Sequence, residues 1–272
     1  MKNRIDQLFQ DKKENILSVY FTAGYPHLDD TVTIIDLLVA NGVDLIEVGM
    51  PFSDPVADGP VIQNSSLVAL KNGMSIEKLF GQLKGIRHKV NIPLILMGYL
   101  NPVIQFGLEE FCEKCAEAGI DGLILPDLPL NEYLENYRET FVRYNLHNIL
   151  LITPQTSEKR LKEIDDASKG FIYMVSSSST TGIKSKVSDF HLDYFERVRK
   201  MNLRNPRLIG FGISNKETFD NACSYAQGAI IGSAFVNALS PDLVLDEIIS
   251  GFVRRIRQGA GPSVKSQPGR LA

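Results

Sequence analysis

The sequence is poor in the residues that build disulfide frameworks and metal sites. Its three cysteines, Cys112, Cys115 and Cys223, leave one unpaired under any disulfide scheme, which points to a reducing compartment and so to the cytoplasm. Cys112 and Cys115 form a C-x-x-C, but they fall within the helical pattern Leu108–Ala118 with no second pair to complete a zinc site. Both are read as packed or half-exposed helix thiols. The four histidines, His27, His88, His147 and His191, are scattered and show no ligand spacing, so no metal site follows from them. Excess positive charge is also missing. A net charge of −3 and a pI of about 5.9 do not supply the field that nucleic acid or an anionic membrane requires. No apolar run approaches a membrane span, and Met1–Asp11 mixes Lys2 and Arg4 with Asp6 and Asp11 instead of carrying the apolar stretch of a secretory signal.

What the sequence does have is a rhythm of short, β-rich apolar runs alternating with longer amphipathic segments. Strands are expected near Ser18–Ala23, Asp44–Val48, Pro93–Gly98, Gly122–Leu125, Asn148–Thr153, Phe171–Val175, Arg207–Gly210 and Gly228–Ile231. Helices are expected at Asp29–Asn41, Ser75–Val90, Val103–Ala118, Glu132–Tyr144, Glu158–Ala167, Ser188–Lys200, Lys216–Ala226 and Asp242–Ile256. Ser75, Ser157 and Ser214 open helices, the last with Glu217 at capping-box spacing, and Gly42 and Gly119 close them. The class is α/β. Eight such units in 272 residues match a single (β/α)8 TIM barrel, with an extra N-terminal helix over Asn3–Lys12. Residues 1–257 are expected to form the catalytic domain and 258–272, rich in Gly, Pro, Ser and Arg, a disordered tail. Two connections are long, Gly49–Asn72 after the second strand and Ser176–Lys186 after the sixth. Both fall on the face where such barrels build their active sites, and the second reads either as a mobile lid or as a solvated connector.

Glu47 is the odd residue in its strand. Alternation sets it on one face with Leu45, pointing either into the barrel mouth or into the outer helices, where an acid would be costly. At the C-terminal end of a barrel strand, a carboxylate among apolar neighbours has its pKa raised toward the range useful for proton transfer. A structural Glu held by a backbone donor or an arginine is the competing reading. Asp58, eleven residues on, can return to the same mouth in wetter surroundings, so that the two acids take different roles. Asp54 competes with it, but Ser53-Asp54-Pro55 is turn chemistry, and a supporting hydrogen bond suits it better.

Two glycine clusters, Gly210-Phe-Gly-Ile-Ser214 and Gly232-Ser-Ala, follow the seventh and eighth strands. Loops there, with a short helix N-terminus, form the phosphate site of many barrels, since glycine lets backbone N–H groups approach an anion. Thr181-Gly182 in the sixth loop offers a further donor and a hydroxyl. Phe21, Tyr99 and Tyr173, with Leu125 and Ile152, lie at or near strand ends; with the acids they suit a flat apolar ring carrying a polar N–H.

The segment Glu47-Val-Gly-Met-Pro-Phe-Ser-Asp-Pro-Val-Ala-Asp-Gly-Pro-Val-Ile-Gln63 resembles the signature of the tryptophan synthase alpha subunit family. The resemblance extends in order through Tyr20-Phe-Thr-Ala-Gly-Tyr-Pro26, Leu96-Met-Gly-Tyr-Leu-Asn-Pro102, Asp121-Gly-Leu-Ile-Leu-Pro-Asp-Leu-Pro129, Gly210–Ser214 and Ile231-Gly-Ser-Ala234. It implies a lyase of tryptophan biosynthesis that cleaves indole-3-glycerol phosphate to indole and D-glyceraldehyde 3-phosphate without a cofactor of its own. Glu47 would move the protons and Asp58 would accept the indole N–H. Phe21, Tyr99, Leu125 and Tyr173 would line the indole pocket; Thr181, Gly182, Gly212, Gly232 and Ser233 would surround the phosphate. It also implies a beta subunit carrying pyridoxal phosphate, in an α2β2 tetramer, met by Pro51–Asp58, Asn101–Gln105 and Pro126–Asn131. The sixth loop departs from the family pattern, with Ser179 where a glycine is usual, which touches loop closure. Other phosphate-binding barrels, such as sugar-phosphate isomerases, epimerases or indole-3-glycerol phosphate synthase, are the rivals, as is a chain serving mainly to regulate the beta subunit.

Overall fold

The computed structural model describes residues 2–175, 189–210, 212–242 and 244–259. The long connection Ser176–Lys186, read as a lid or a connector, and all of the expected tail beyond residue 259 lie outside them. Nine short strands follow one another: β1 (Ile16–Thr22), β2 (Leu45–Gly49), β3 (Leu94–Met97), β4 (Gly122–Ile124), β5 (His147–Asn148), β6 (Leu150–Ile152), β7 (Ile172–Val175), β8 (Arg207–Gly210) and β9 (Gly228–Ile231). All pair in parallel, in the order β5-β4-β3-β2-β1-β9-β8-β7-β6. The two ends of that order, β5 and β6, are separated in the chain by Ile149 alone, whose N–H still bonds to Leu123 O at 2.9 Å. They occupy one position of a closed barrel, so the eight expected strands become eight barrel positions with one interrupted.

Strand alternation divides the core in two. Leu17, Val19 and Phe21 of β1, Ile46 and Val48 of β2, and Leu94 and Leu96 of β3 pack outward against the helices. Ile16, Leu45, Ile95, Ile124, Phe171, Leu208 and Ile230 fill the barrel itself. Complete burial of such a side chain contributes roughly 1.5–3 kcal/mol, and both layers are needed because a parallel sheet is covered on each face.

The helix Arg4–Asp11 plugs the barrel from below, as its pattern predicts. Asn3 caps it by accepting from Ile5 N–H at 2.9 Å, while its own amide donates to Asp121 O (2.8 Å) and Asn145 O (2.9 Å). That cap aims Ile5 and Phe9 into the barrel interior, Phe9 against Phe171 with ring centroids 5.8 Å apart. Gly122 makes room for them: a Cβ there would lie 2.9 Å from His147 O and 3.0 Å from Ile5. Asp44 joins the segment after the N-terminal helix to the helix Leu245–Gln258, accepting from Lys12 Nζ (2.7 Å), Arg257 Nη2 (2.6 Å) and Leu17 N–H (2.8 Å).

Several boundaries differ from expectation. Gly85, at φ 76°, ends the segment Ser75–Val90 as a helix at Ile76–Leu83 followed by a single tight turn, Ile86–His88. Gly107, at φ 97°, splits the next helix into Leu100–Phe106 and Leu108–Ala118. Within the long connection after β2, residues Pro60–Lys71 are helical, started by a proline whose missing N–H costs nothing in a first turn. The capping box is one residue later than expected, with Asn215 and Thr218 instead of Ser214 and Glu217. Cys112 and Cys115 are buried on the inner side of their helix. Among the described residues no helix is long and apolar enough to cross a membrane.

Candidate active site

Glu47 sits opposite Tyr20 in the β1–β2 register and points into the barrel with Leu45. It is fully buried, at 0% exposure. Its Oε1 accepts from Ser18 Oγ at 2.7 Å, and Oε2 has no hydrogen-bond partner among the described residues. Removal from water pushes the carboxyl up to about 8, against a smaller downward pull from the Ser18 hydroxyl. Glu47 therefore rests protonated near neutral pH. Among the described residues it is neither paired with an arginine nor bound by a backbone donor, the two partners a structural role would call for.

Asp58 lies in the turn between β2 and the helix Pro60–Lys71. The turn is pinned on both sides: Asp58 N–H bonds Pro55 O at 3.0 Å, and Gln63 Nε2 donates to Asp58 O at 2.9 Å. From the next strand's end, the Tyr99 hydroxyl accepts from Ala57 N–H and donates to Asp58 Oδ2, both at 3.0 Å. Half-burial raises the Asp58 carboxyl above its ordinary value, and the Tyr99 hydroxyl pulls it back toward the charged form. Tyr99 itself lies against Phe52, with centroids 5.2 Å apart. Asp54 is exposed and accepts from Ser53 Oγ, a turn partner away from the cavity.

The two acids share a cavity of about 420 Å³ at the C-terminal end of the strands, lined by Tyr20, Glu47, Asp58, Met97, Tyr173, Gly212, Ser214, Ile230, Gly232 and Ser233, among others. Tyr20 and Tyr173 are set by one geometric rule. Each leans over a glycine two residues beyond its register partner on the adjacent strand: Tyr20 pairs Glu47 and covers Gly49, Tyr173 pairs Leu208 and covers Gly210. A Cβ at either glycine would lie 2.2 Å from the tyrosine oxygen, so no other residue leaves the ring its place. At the other end of the cavity, Gly212 adopts φ 74° and the helix Ser233–Ala238 begins at Gly232. The first N–H groups of a helix have no acceptor within it, which suits an anion.

The expected site residues thus divide. Glu47, Asp58, Tyr173, Gly212, Gly232 and Ser233 line one cavity, and Tyr99 stands behind Asp58. Thr181 and Gly182 lie outside the described residues. Phe21 and Leu125 are corrections: both are buried in the outer layer facing the helices, as is Ile152. Their neighbours face inward instead. Tyr20 lines the cavity, and Ile124 points into the barrel. A register error of one residue inverts a strand's faces, and the inward Ser18 and Glu47 would have fixed the phase. Met97, missed by the sequence reading, carried the same signal, standing two residues after the inward Ile95.

A sequence profile described as tryptophan synthase alpha chain matches residues 7–251. The tryptophan synthase alpha chain of Flavobacterium psychrophilum is 58% identical over 254 residues, covering 93% of this chain and 99% of that one. That of Parabacteroides distasonis is 54% identical over 256 residues, covering 94% and 100%. Among solved structures, a tryptophan synthase alpha chain from Legionella pneumophila superposes with a TM-score of 0.84 at 30% identity, covering 95% of this chain and 97% of that one. Barrel, acids, glycine clusters and near-complete alignment agree, and the chain belongs to the tryptophan synthase alpha chain family.

Proposed function

We propose that Glu47 and Asp58 divide between them the family's reaction, the retro-aldol cleavage of indole-3-glycerol phosphate to indole and D-glyceraldehyde 3-phosphate. The chain is a carbon–carbon lyase of tryptophan biosynthesis. The observation that carries the residue assignment is the unequal setting of two acids in one cavity: a fully buried carboxyl pushed up to about 8, and a half-buried one that burial also raises but a tyrosine hydroxyl pulls back toward its charged form.

Protonated Glu47 gives its proton to indole C3. The ring nitrogen becomes an iminium, and the Asp58 carboxylate, accepting the N–H, stabilises that positive charge as it forms. Glu47, now a carboxylate, removes the proton from the glycerol hydroxyl next to the ring. The hydroxyl oxygen becomes the aldehyde carbonyl, the carbon–carbon bond breaks, and its electron pair restores the aromatic indole. Glu47 ends protonated, as it began. Tyr20, Met97, Tyr173 and Ile230 supply the flat apolar walls for indole, while the amides about Gly212, Gly232 and Ser233 receive the phosphate; Thr181 and Gly182 complete that end on the family resemblance.

The chemistry calls for no cofactor in this chain, and pyridoxal phosphate belongs to a beta subunit that would take the indole. Val56 in the turn after β2 and Ile104 on the helix Leu100–Phe106 are 87% and 49% exposed in segments expected to meet that subunit and suit a contact with it; the α2β2 assembly follows from the family resemblance. Three free thiols fit a reducing cytoplasm. We take residues 1–257 as the catalytic unit.

The test is release of indole from indole-3-glycerol phosphate, with and without a beta subunit. Glu47→Gln should lower turnover by about 10²–10⁴-fold, and Asp58→Asn by at least 10²-fold, with the fold retained by circular dichroism. Cleavage surviving in Glu47→Gln would overturn the assignment.

A further inference from the structure

The floor beneath the cavity is apolar. Leu45, Ile95, Ile124, Phe171, Leu208 and Ile230 are all buried there. Ser18 shares this interior, fully buried on β1 opposite Leu45, and its hydroxyl donates to Glu47 Oε1 at 2.7 Å. A hydroxyl removed from water costs roughly 1–3 kcal/mol unless it is hydrogen-bonded, so its place among aliphatic side chains requires a partner, and that partner is the acid. The bond also restricts the acid. A buried glutamate has three side-chain torsions to fix, and among the described residues only Oε1 meets a protein donor, leaving Oε2 as the oxygen to meet a ligand.

We propose that Ser18 is a positioning residue for the cleavage reaction: its hydroxyl fixes Oε1 of Glu47 and thereby sets which oxygen, at which height in the barrel, exchanges protons with the substrate. The inference rests on Glu47 being the proton-transfer group. It has a second consequence. A hydroxyl donating to a carboxylate favours the charged form, so Ser18 eases the return of the proton from the glycerol hydroxyl by making Glu47 a less reluctant anion when C3 has taken its proton. Ser18 is not among the residues lining the cavity, so its removal should act on turnover and not on binding.

The variants Ser18→Ala, Ser18→Thr and Ser18→Val separate this role from space filling, since the last two have nearly one shape and differ in the hydroxyl. With indole-3-glycerol phosphate as substrate, Ser18→Ala and Ser18→Val should lose about 10-fold in kcat with KM unchanged, as expected for loss of a hydrogen bond to a charged group. The alkaline limb of their pH–rate profiles should move upward, because the charged form of Glu47 loses its donor. Ser18→Thr should keep most of the activity and the original limb. Wild-type turnover and profile in Ser18→Ala, or equal losses in Ser18→Thr and Ser18→Val, would overturn the inference. Glu47→Gln, assayed beside them, distinguishes the failures. If it remains active, the proton-transfer assignment falls; if it is dead while Ser18→Ala is unimpaired, only the role of Ser18 falls.

Discussion

At the scale of single residues, the proposed chemistry depends on two carboxyls holding opposite protonation states at one pH. Glu47 must start with a proton and Asp58 must lack one, so activity falls above the Glu47 pKa, about 8, and below that of Asp58. The limbs belong to different groups and can be moved separately. Tyr99 donates to Asp58, which favours the carboxylate; Tyr99→Phe withdraws that support and raises the Asp58 pKa further. The acid limb of the rate profile should shift upward, while the alkaline limb stays in place. A shift of the alkaline limb instead would mean that Tyr99 acts on Glu47.

The secondary-structure elements show what the sequence could and could not convey. Glu47 was legible because an acid inside an apolar strand has few explanations, and Asp58 because Pro and Gly punctuate a turn of the right length. The inward and outward faces of β1 and of the β4 end were not, since Tyr20 and Phe21, or Ile124 and Leu125, are similar neighbours and hydrophobicity cannot choose between faces that are both buried. The helix Pro60–Lys71 hid behind the Pro- and Gly-rich turn preceding it. The N-terminal helix was legible as an element, but its role as a plug rests on Asn3, a cap whose amide also reaches two carbonyls far along the chain. Asn3→Ala removes all three bonds and should lower stability by about 2–4 kcal/mol in urea denaturation. A loss below about 0.5 kcal/mol would show the helix to be held by Ile5 and Phe9 alone.

At the scale of the molecule, closure of the barrel draws the ends of the described chain to one carboxylate. Asp44 receives Lys12 from the N-terminal segment and Arg257 from the last helix, besides a backbone N–H of β1. Asp44→Ala would leave two cations and a strand amide without their shared acceptor, and should lower stability by about 2–4 kcal/mol with little change in KM; paired melting and kinetic measurements would detect either departure. At the opposite end of the barrel stand the two tyrosines leaning over Gly49 and Gly210. Because each ring is seated by strand register and by an absent Cβ, the wall that the two give the cavity is cut into the backbone. Side chains elsewhere in the barrel can drift without resetting it. Under the proposed function, indole would therefore meet a surface placed by the pairing of strands and not by the rings themselves.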